Sequence, residues 1–206
     1  METLTEEQRK CPYCGGRKDK IELLCYYNNG GIIWSDFTYM LPQVAVPSLI
    51  RKCPHCGKYF ITKASYVLIK NTADYEFIDP VSWEYFKQSY GALSQVEKDN
   101  VVDYNHRLRM LCAYNDKFSR PRNPEAPTDE DYRIFKDNVL HLMDYFQDPI
   151  DKAELYREIG LFDECFKQLE MVDDEGIEAK RDYKDTIAQF AKQKSVRPFG
   201  WKEGGE

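Results

Sequence analysis

The sequence lacks any long apolar run and the short motifs that mark common enzyme classes. No stretch of 18 apolar residues occurs in the 206-residue chain, so a transmembrane helix is not expected. Residues 1–10 have neither the basic start nor the apolar core of a secretion signal, and we therefore expect a cytoplasmic protein. The patterns H-E-x-x-H and G-x-S-x-G and the phosphate-binding loop are also missing, so no motif supports an enzyme.

A disulfide framework is not expected either. The chain has seven cysteines, an odd number, and Cys25, Cys112 and Cys165 each stand alone in the sequence. Disulfides are rare in the reducing cytoplasm, where thiols stay free to bind metals. Cysteine chemistry should therefore concentrate in the four cysteines that occur as pairs.

A concentrated basic region, the usual mark of nucleic-acid binding, is largely missing. The first 70 residues carry 10 basic and 6 acidic side chains. The remaining residues carry 19 basic and 29 acidic side chains, which gives the whole chain a net charge of −6. The segment 106–122 is locally basic and could contact RNA or DNA phosphate. We favour a solvated face that pairs with acidic helices. The charged residues of this segment are Arg107, Arg109, Lys117, Arg120 and Arg122, with Asp116.

Two knuckles of the form C-P-x-C-G are the strongest chemical signal present. The first contains Cys11 and Cys14, and the second contains Cys53 and Cys56. Four thiolates at about 2.3 Å from one Zn²⁺ form the closed tetrahedral site of structural zinc, and two such turns commonly supply them. The sequence therefore predicts a structural zinc site, with iron as a substitute. A redox dithiol is the alternative, since a C-x-x-C pair can lower a thiol pKa.

Residues 1–75 have the pattern of β structure. Alternation over residues 21–28 and β-branched and aromatic residues over 32–40 predict two strands, joined by a turn at Asn28-Asn29-Gly30-Gly31. Shorter strands are expected at 48–52, 59–62 and 66–70. Together they predict an enlarged zinc ribbon, a small antiparallel sheet that holds the metal site.

Beyond residue 75 the hydrophobic period becomes helical. Asp79-Pro80 and a capping box at 94–97 predict the starts of two helices, the second ending near Asn115 or Lys117 with an apolar stripe at Val101, Tyr104, Leu108 and Leu111. Further helices are expected to start at Thr128, to run from Asp148-Pro149 to Gly160, and to cover 162–172 and 174–194. The predicted fold class is α+β, with a zinc-ribbon domain at 1–75 and an α-helical bundle at 76–206.

The paired knuckles resemble zinc ribbons and rubredoxin-like folds, which use the same C-P-x-C-G turn twice. The segment 153–172 is similar to part of a tetratricopeptide repeat (TPR). The residues that carry this second resemblance are Ala153, Tyr156, Gly160, Phe162, Cys165, Leu169 and Val172. No second copy follows at the 34-residue interval, so the resemblance implies one TPR-like hairpin within a bundle. Across most of its length the chain resembles a group of uncharacterised bacterial proteins, which implies no activity.

The function expected from these features is that of a non-enzymatic, zinc-stabilised module for protein–protein interaction, with the partner bound by the helical region. A nucleic-acid-associated zinc ribbon and a redox or electron-transfer protein are the alternatives. His55 could replace a cysteine as ligand, but four thiols already fill the metal shell. His106 and His141 lie beside apolar stripes, where a lone histidine is more often at the edge of the core than catalytic.

Overall fold

Helices dominate the part of the chain that the structure, a computed structural model, describes. The described residues are 11–16, 21–22, 32–37, 39–40, 50–53, 55–61, 68–69, 82–92, 100–121, 124–173, 175 and 177–201. The chain divides into two units, one of residues 1–29 and 42–113 and the other of residues 30–41 and 114–206. Among the described helices, none is long and apolar enough to cross a membrane.

Seven short strands occur in the described residues, and all of their pairings are antiparallel. The strands are β1 (Ile21–Glu22), β2 (Ile32–Trp34), β3 (Tyr39–Met40), β4 (Ile50–Lys52), β5 (Tyr59–Ile61), β6 (Leu68–Ile69) and β7 (Gly200–Trp201). In the first unit β1 pairs with β6 and β4 pairs with β5, whereas in the second unit β2 lies between β3 and β7. These separate pairings do not confirm the single zinc-ribbon sheet predicted from the sequence.

The predicted strand over residues 32–40 is wrong, because a turn divides it. Ser35 and Asp36 leave the strand path, and Phe37 adopts a left-handed conformation with φ of 63°. Both Ser35 and Asp36 are buried and hydrogen-bonded to other parts of the second unit. β1 pairs with Leu68–Ile69 and not with β2. The turn predicted at 28–31 lies outside the described residues.

In the first unit, helix α1 (Trp83–Tyr90) packs on the β4–β5 hairpin. The Tyr85 hydroxyl donates to the Ile50 carbonyl at 2.7 Å and accepts from the Lys52 amide at 3.2 Å. The helix is capped by Ser82, whose side chain accepts from the Tyr85 amide, so it begins later than the predicted start at Asp79-Pro80. Residues 79–81 and the predicted capping box at 94–97 lie outside the described residues.

Helix α2 (Asn100–Phe118) ends one residue beyond the predicted limit, and the division between the units falls after Ala113. Leu108 and Leu111 on its predicted apolar stripe are buried, but Val101 is 66% exposed. The stripe prediction is therefore wrong at its first residue. One cause is position, since Val101 lies in the first turn of the helix.

Two helix starts predicted in the second unit, at Thr128 and at Asp148, are confirmed by their caps. Helix α3 (Asp129–Leu142) has a capping box between Thr128 and Asp131 and continues into a 3₁₀ turn at Met143–Tyr145. Helix α4 (Pro149–Glu158) is capped by the Asp148 side chain, which accepts from the Ile150 amide. These signals are local, so the sequence reveals them without tertiary information.

Helices α4 and α5 (Phe162–Glu170) form a hairpin joined at Gly160, whose φ of +72° favours glycine. Helix α6 (Glu178–Lys192) packs on the same core, and its bounds fall inside the predicted 174–194. The buried members of this core are Ile150, Ala153, Cys165, Leu169, Val172, Ile187, Ala191 and Phe199. A helical C-terminal region is therefore confirmed. The division into domains at residue 75 stays a prediction about independent folding.

The C-terminal tail completes the core of the second unit. The Phe199 ring stacks on Phe190 with centroids 4.9 Å apart, and the guanidinium of the buried Arg157 lies 5.4 Å from the Phe199 centroid. The Phe199 amide donates to Ser35 Oγ at 3.0 Å, and its carbonyl accepts from the Ser35 amide at 2.8 Å. The tail thus joins the β2–β3 turn to helices α4 and α6.

We expect Phe199→Ala to lower the free energy of unfolding by about 3 kcal/mol, because it leaves a cavity and removes both ring contacts. Chemical denaturation of the full chain measures the change. Met171→Ala is the matched control, since Met171 is 65% exposed and should change stability by less than about 0.5 kcal/mol. Equal effects of the two substitutions would contradict the role given to the tail.

Candidate metal centre

The two knuckles share one backbone conformation. In the first, the Gly15 amide donates to the Cys11 carbonyl at 2.9 Å, and in the second the Gly57 amide donates to the Cys53 carbonyl at 2.9 Å. Both glycines have positive φ, 66° and 70°, a region that side chains disfavour. The sequence prediction of a glycine turn in each knuckle is therefore confirmed.

The strand pairing positions the second knuckle. Strands β4 and β5 pair with Lys52 opposite Tyr59, so residues 53–58 form the loop of a hairpin. The Cys53 amide closes this loop by donating to the Lys58 carbonyl at 2.8 Å. Cys11 and Cys53 are buried with Phe60 in a small apolar cluster, while Cys14 and Cys56 are exposed. The site thus has one covered side and one side open to solvent.

The four cysteine sulfurs converge although the knuckles are far apart in sequence. Cys11 Sγ lies 3.8 Å from Cys56 Sγ, and Cys14 Sγ lies 3.7 Å from Cys53 Sγ. All four sulfurs lie within 4.8 Å of one another. Four sulfurs bound tetrahedrally at about 2.3 Å from one ion would be about 3.8 Å apart. The cluster therefore has the dimensions of a four-thiolate metal site.

The thiols of the first knuckle differ in acidity. Burial raises the pKa of Cys11, but hydrogen bonds from two backbone amides and two neighbouring thiols outweigh it and lower the pKa to about 7. The Gly16 amide acts to lower the pKa of Cys14, but burial and the neighbouring thiols raise it to about 12. Ionisation of both thiols at once is therefore unfavourable, and a bound cation would reduce its free-energy cost.

His55 lies beside the metal cluster but is not one of its members. A Cβ atom built on Gly16 would lie 2.9 Å from His55 Cγ and 3.3 Å from Cys14 Sγ. Glycine is therefore required at position 16 by the close approach of the His55 ring. Neither Gly16 nor Phe60 was predicted as part of the site, because their roles depend on how the knuckles face each other.

The other two histidines lie outside this site. His106 is fully buried in the first unit, with its ring 5.1 Å from that of Phe86 in an edge-on arrangement. His141 is exposed, and its Nδ1 lies 2.8 Å from the Asp137 carbonyl oxygen. The structure brings neither histidine to a cluster of metal-ligating groups among the described residues.

Three cations of the basic segment 106–122 pair with carboxylates. Arg107 Nε donates to Asp103 at 2.7 Å, and Lys117 lies 3.7 Å from Glu125. Arg120 binds both Asp36 and Asp116 in the second unit, and its side chain is almost fully buried. The expected pairing with acidic groups is therefore present, but the expected solvated face is wrong for Arg107 and Arg120, whose side chains are largely buried. Arg122 lies outside the described residues.

Comparisons of the chain with known protein families, with curated proteins and with solved structures give no match. The described residues support a possible four-cysteine metal site and a helical C-terminal region. The resemblances to zinc ribbons and to TPR hairpins therefore depend on the sequence motifs alone.

We expect Gly16→Ala to weaken metal binding about tenfold or more, because the new methyl group would displace His55 and press on Cys14. Competition with a chromophoric chelator measures the affinity. Gly91→Ala is the control, since Gly91 has an ordinary helical φ of −63° and open space around it.

A second substitution separates the clash from other effects of the methyl group. Adding His55→Ala to Gly16→Ala removes the ring that the methyl would meet and should restore most of the affinity. If the double variant bound metal as weakly as Gly16→Ala, the proposed clash with His55 would be wrong.

Proposed function

We propose that Cys11, Cys14, Cys53 and Cys56 bind one structural Zn²⁺ and that the protein is a non-enzymatic, zinc-stabilised interaction module. The convergence of the four sulfurs within 4.8 Å carries the proposal. Four protein thiolates complete a tetrahedral shell and leave no open position for substrate or water, which is typical of structural zinc. Binding of the metal would add about 10 kcal/mol or more to the folding of the first unit.

The sulfur contacts favour a metal over a redox dithiol. Two sulfur contacts join different knuckles, Cys11 with Cys56 at 3.8 Å and Cys14 with Cys53 at 3.7 Å, whereas a C-x-x-C redox centre needs the cysteines of one motif only. A tetrahedral set of four sulfurs also suits iron. Zinc is the metal we propose, and a reducing compartment such as the cytoplasm would keep the thiols available.

The helical region is the proposed partner surface. Its α4–α5 hairpin is the segment that resembles a TPR, a family that binds proteins through stacked helical hairpins. Met171 and Ile177, between α5 and α6, are apolar and 65% and 53% exposed. Exposed apolar side chains close in sequence suit a protein contact. The zinc ribbon would then serve stability, and the helical region would serve recognition.

Metal content tests the first half of the proposal. Elemental analysis of purified protein should give one zinc per chain, and Cys53→Ser should lose it because three thiolates leave the shell incomplete. Cys112→Ala is the control, since that thiol lies outside the cluster. A coloured protein that contains iron would contradict zinc, and a metal-free wild-type protein would contradict the site.

Removal of the metal should unfold the first unit before the second. A strong chelator should increase amide hydrogen exchange over residues 50–61, whereas exchange within α4 and α5 should change little because their core is apolar. Mass spectrometry of proteolytic peptides measures both. Unchanged exchange over residues 50–61 after metal removal would contradict a structural role for the ion.

Partner binding tests the second half. Met171→Asp combined with Ile177→Asp should abolish recovery of a protein partner from the native cell, because charge would interrupt the apolar surface. Val101→Asp is the matched control, since it places the same charge on an exposed apolar residue of the first unit. Equal recovery with both variants would exclude this surface.

A further inference from the structure

Three buried polar residues meet inside the second unit, and we call them the carboxylate junction. Asp36 comes from the turn between β2 and β3, Asn115 from the last turn of α2, and Glu158 from the end of α4. Their exposed fractions are 0, 1 and 2%. The junction lies apart from the four cysteines, and the proposed metal site makes no use of it.

One amide group joins the two carboxylates. Asn115 Nδ2 donates to Asp36 Oδ2 at 2.8 Å and to Glu158 Oε2 at 2.9 Å. The opposite orientation of the amide would direct its oxygen at both carboxylates, so these contacts fix the orientation. Two carboxylates that share one donor in a buried site repel each other when both are ionised.

Arg120 and Arg157 lie near the junction, and each has its shortest contacts with carboxylates other than Glu158. Arg120 binds Asp36 through one nitrogen and Asp116 through another. Arg157 Nε donates to Glu154 at 2.7 Å, and its Nη2 lies 4.0 Å from Glu158 Oε1, beyond hydrogen-bond distance. The ion pair of Glu158 with Arg157 is therefore a long one, without a hydrogen bond.

Titratable and charged groups surround the junction on every side. Those that act on Glu158, on Asp36 or on their partners are Asp116 and Arg120 near the end of α2, Glu154 and Arg157 from α4, Cys165 from α5 and Tyr183 from α6. Among the described residues at the junction, the charged groups with almost no solvent exposure are three carboxylates, Asp36, Glu154 and Glu158, and two guanidinium groups, those of Arg120 and Arg157. One negative charge is therefore left over.

The hydrogen bonding shows where that excess charge would lie. Within the described part of the chain, Glu158 Oε1 is buried and has no hydrogen-bond partner, and the same is true of Asn115 Oδ1. An unpaired, ionised oxygen in a protein interior is costly. A proton on Glu158 Oε1 would remove the excess charge and turn an unpaired acceptor into a donor.

Burial, together with Asp36 and Glu154, also raises the pKa of Glu158 well above its usual range, against the smaller effects of Arg157 and Asn115.

We propose that Glu158 is a buried proton-binding site whose carboxyl group stays neutral at pH values at which exposed glutamates are ionised, and that this proton helps to hold the β2–β3 turn on helix α4. Loss of the proton places two adjacent negative charges on Asn115 and weakens the join between the turn and the helix. The second unit therefore carries a pH-sensitive contact between the turn at Asp36 and the end of α4.

The direction of the pH effect follows from linkage. Because the pKa of Glu158 is higher in the folded protein than in the unfolded chain, the stabilisation is complete below about pH 4.3, the unfolded value, and is lost as pH rises through the folded value. The second unit should consequently lose stability from this group on alkalisation. Ordinary, ion-paired carboxylates have a lowered pKa in the folded protein, so their contribution to stability is lost as the pH falls instead.

The test is a pH titration of the wild-type full chain, carboxyl-labelled with ¹³C at glutamate and followed by NMR. The Glu158 carboxyl carbon, assigned through bonds, should titrate at a pH well above that of the exposed glutamates, whose ordinary value is near 4.3. Titration of Glu158 together with the exposed glutamates would overturn the proposal. So would a signal that moves only on addition of Mg²⁺ or Ca²⁺, because the junction would then bind a metal cation.

Substitution gives an independent readout. Glu158→Gln keeps the shape of the side chain and carries a permanent donor, so the high titration should disappear and the loss of stability on alkalisation should shrink. Glu170→Gln, at an exposed position of α5, should leave both unchanged. If Glu158→Gln lost as much stability as the wild type on alkalisation, the proposal would be wrong. If the variant did not fold, the wild-type titration would still decide.

Discussion

The approach of four cysteine sulfurs to within 4.8 Å is the constraint on which the first unit depends. The chain between Cys14 and Cys53 must be closed into a loop of 38 residues, and closure costs conformational entropy. The backbone bonds of each knuckle set the direction of its two thiols but cannot hold one knuckle to the other. A cation bound by all four thiolates would supply that attraction, and it would also offset the burial and the neighbouring thiols that raise the pKa of Cys14.

The loop closed by the knuckles also contributes to the second unit. Residues 30–41 belong to that unit, together with everything after Ala113. Their buried turn supplies Ser35 to the C-terminal tail and Asp36 to the ends of helices α2 and α4. The core of the second unit is thus assembled from two separated parts of the sequence, and polar contacts help to hold the turn in place.

Buried ionic groups give the second unit specificity at some energetic cost. The fully buried Arg157 binds Glu154, donates to the Ser195 carbonyl and lies over two aromatic rings. Such a network adds little net stability over apolar packing, because its charges must be desolvated. Its members can be satisfied in only one arrangement of tail, helix and turn, however, so it selects that arrangement over alternatives of similar apolar burial.

Local signals in the sequence determined the candidate metal-binding cysteines, the glycine turns of the knuckles and the helix caps at Thr128 and Asp148, since each is marked by residues a few positions apart. The tertiary structure alone decided the pairing of β2 with the C-terminal tail, the split of the predicted strand at Ser35 and Asp36, and the junction at Glu158. These features depend on partners far away in the sequence. The hydrogen bond between Ser35 and Phe199, for example, joins residues 164 positions apart. Alternation and spacing report which face of an element is buried, but they do not report which distant segment covers it.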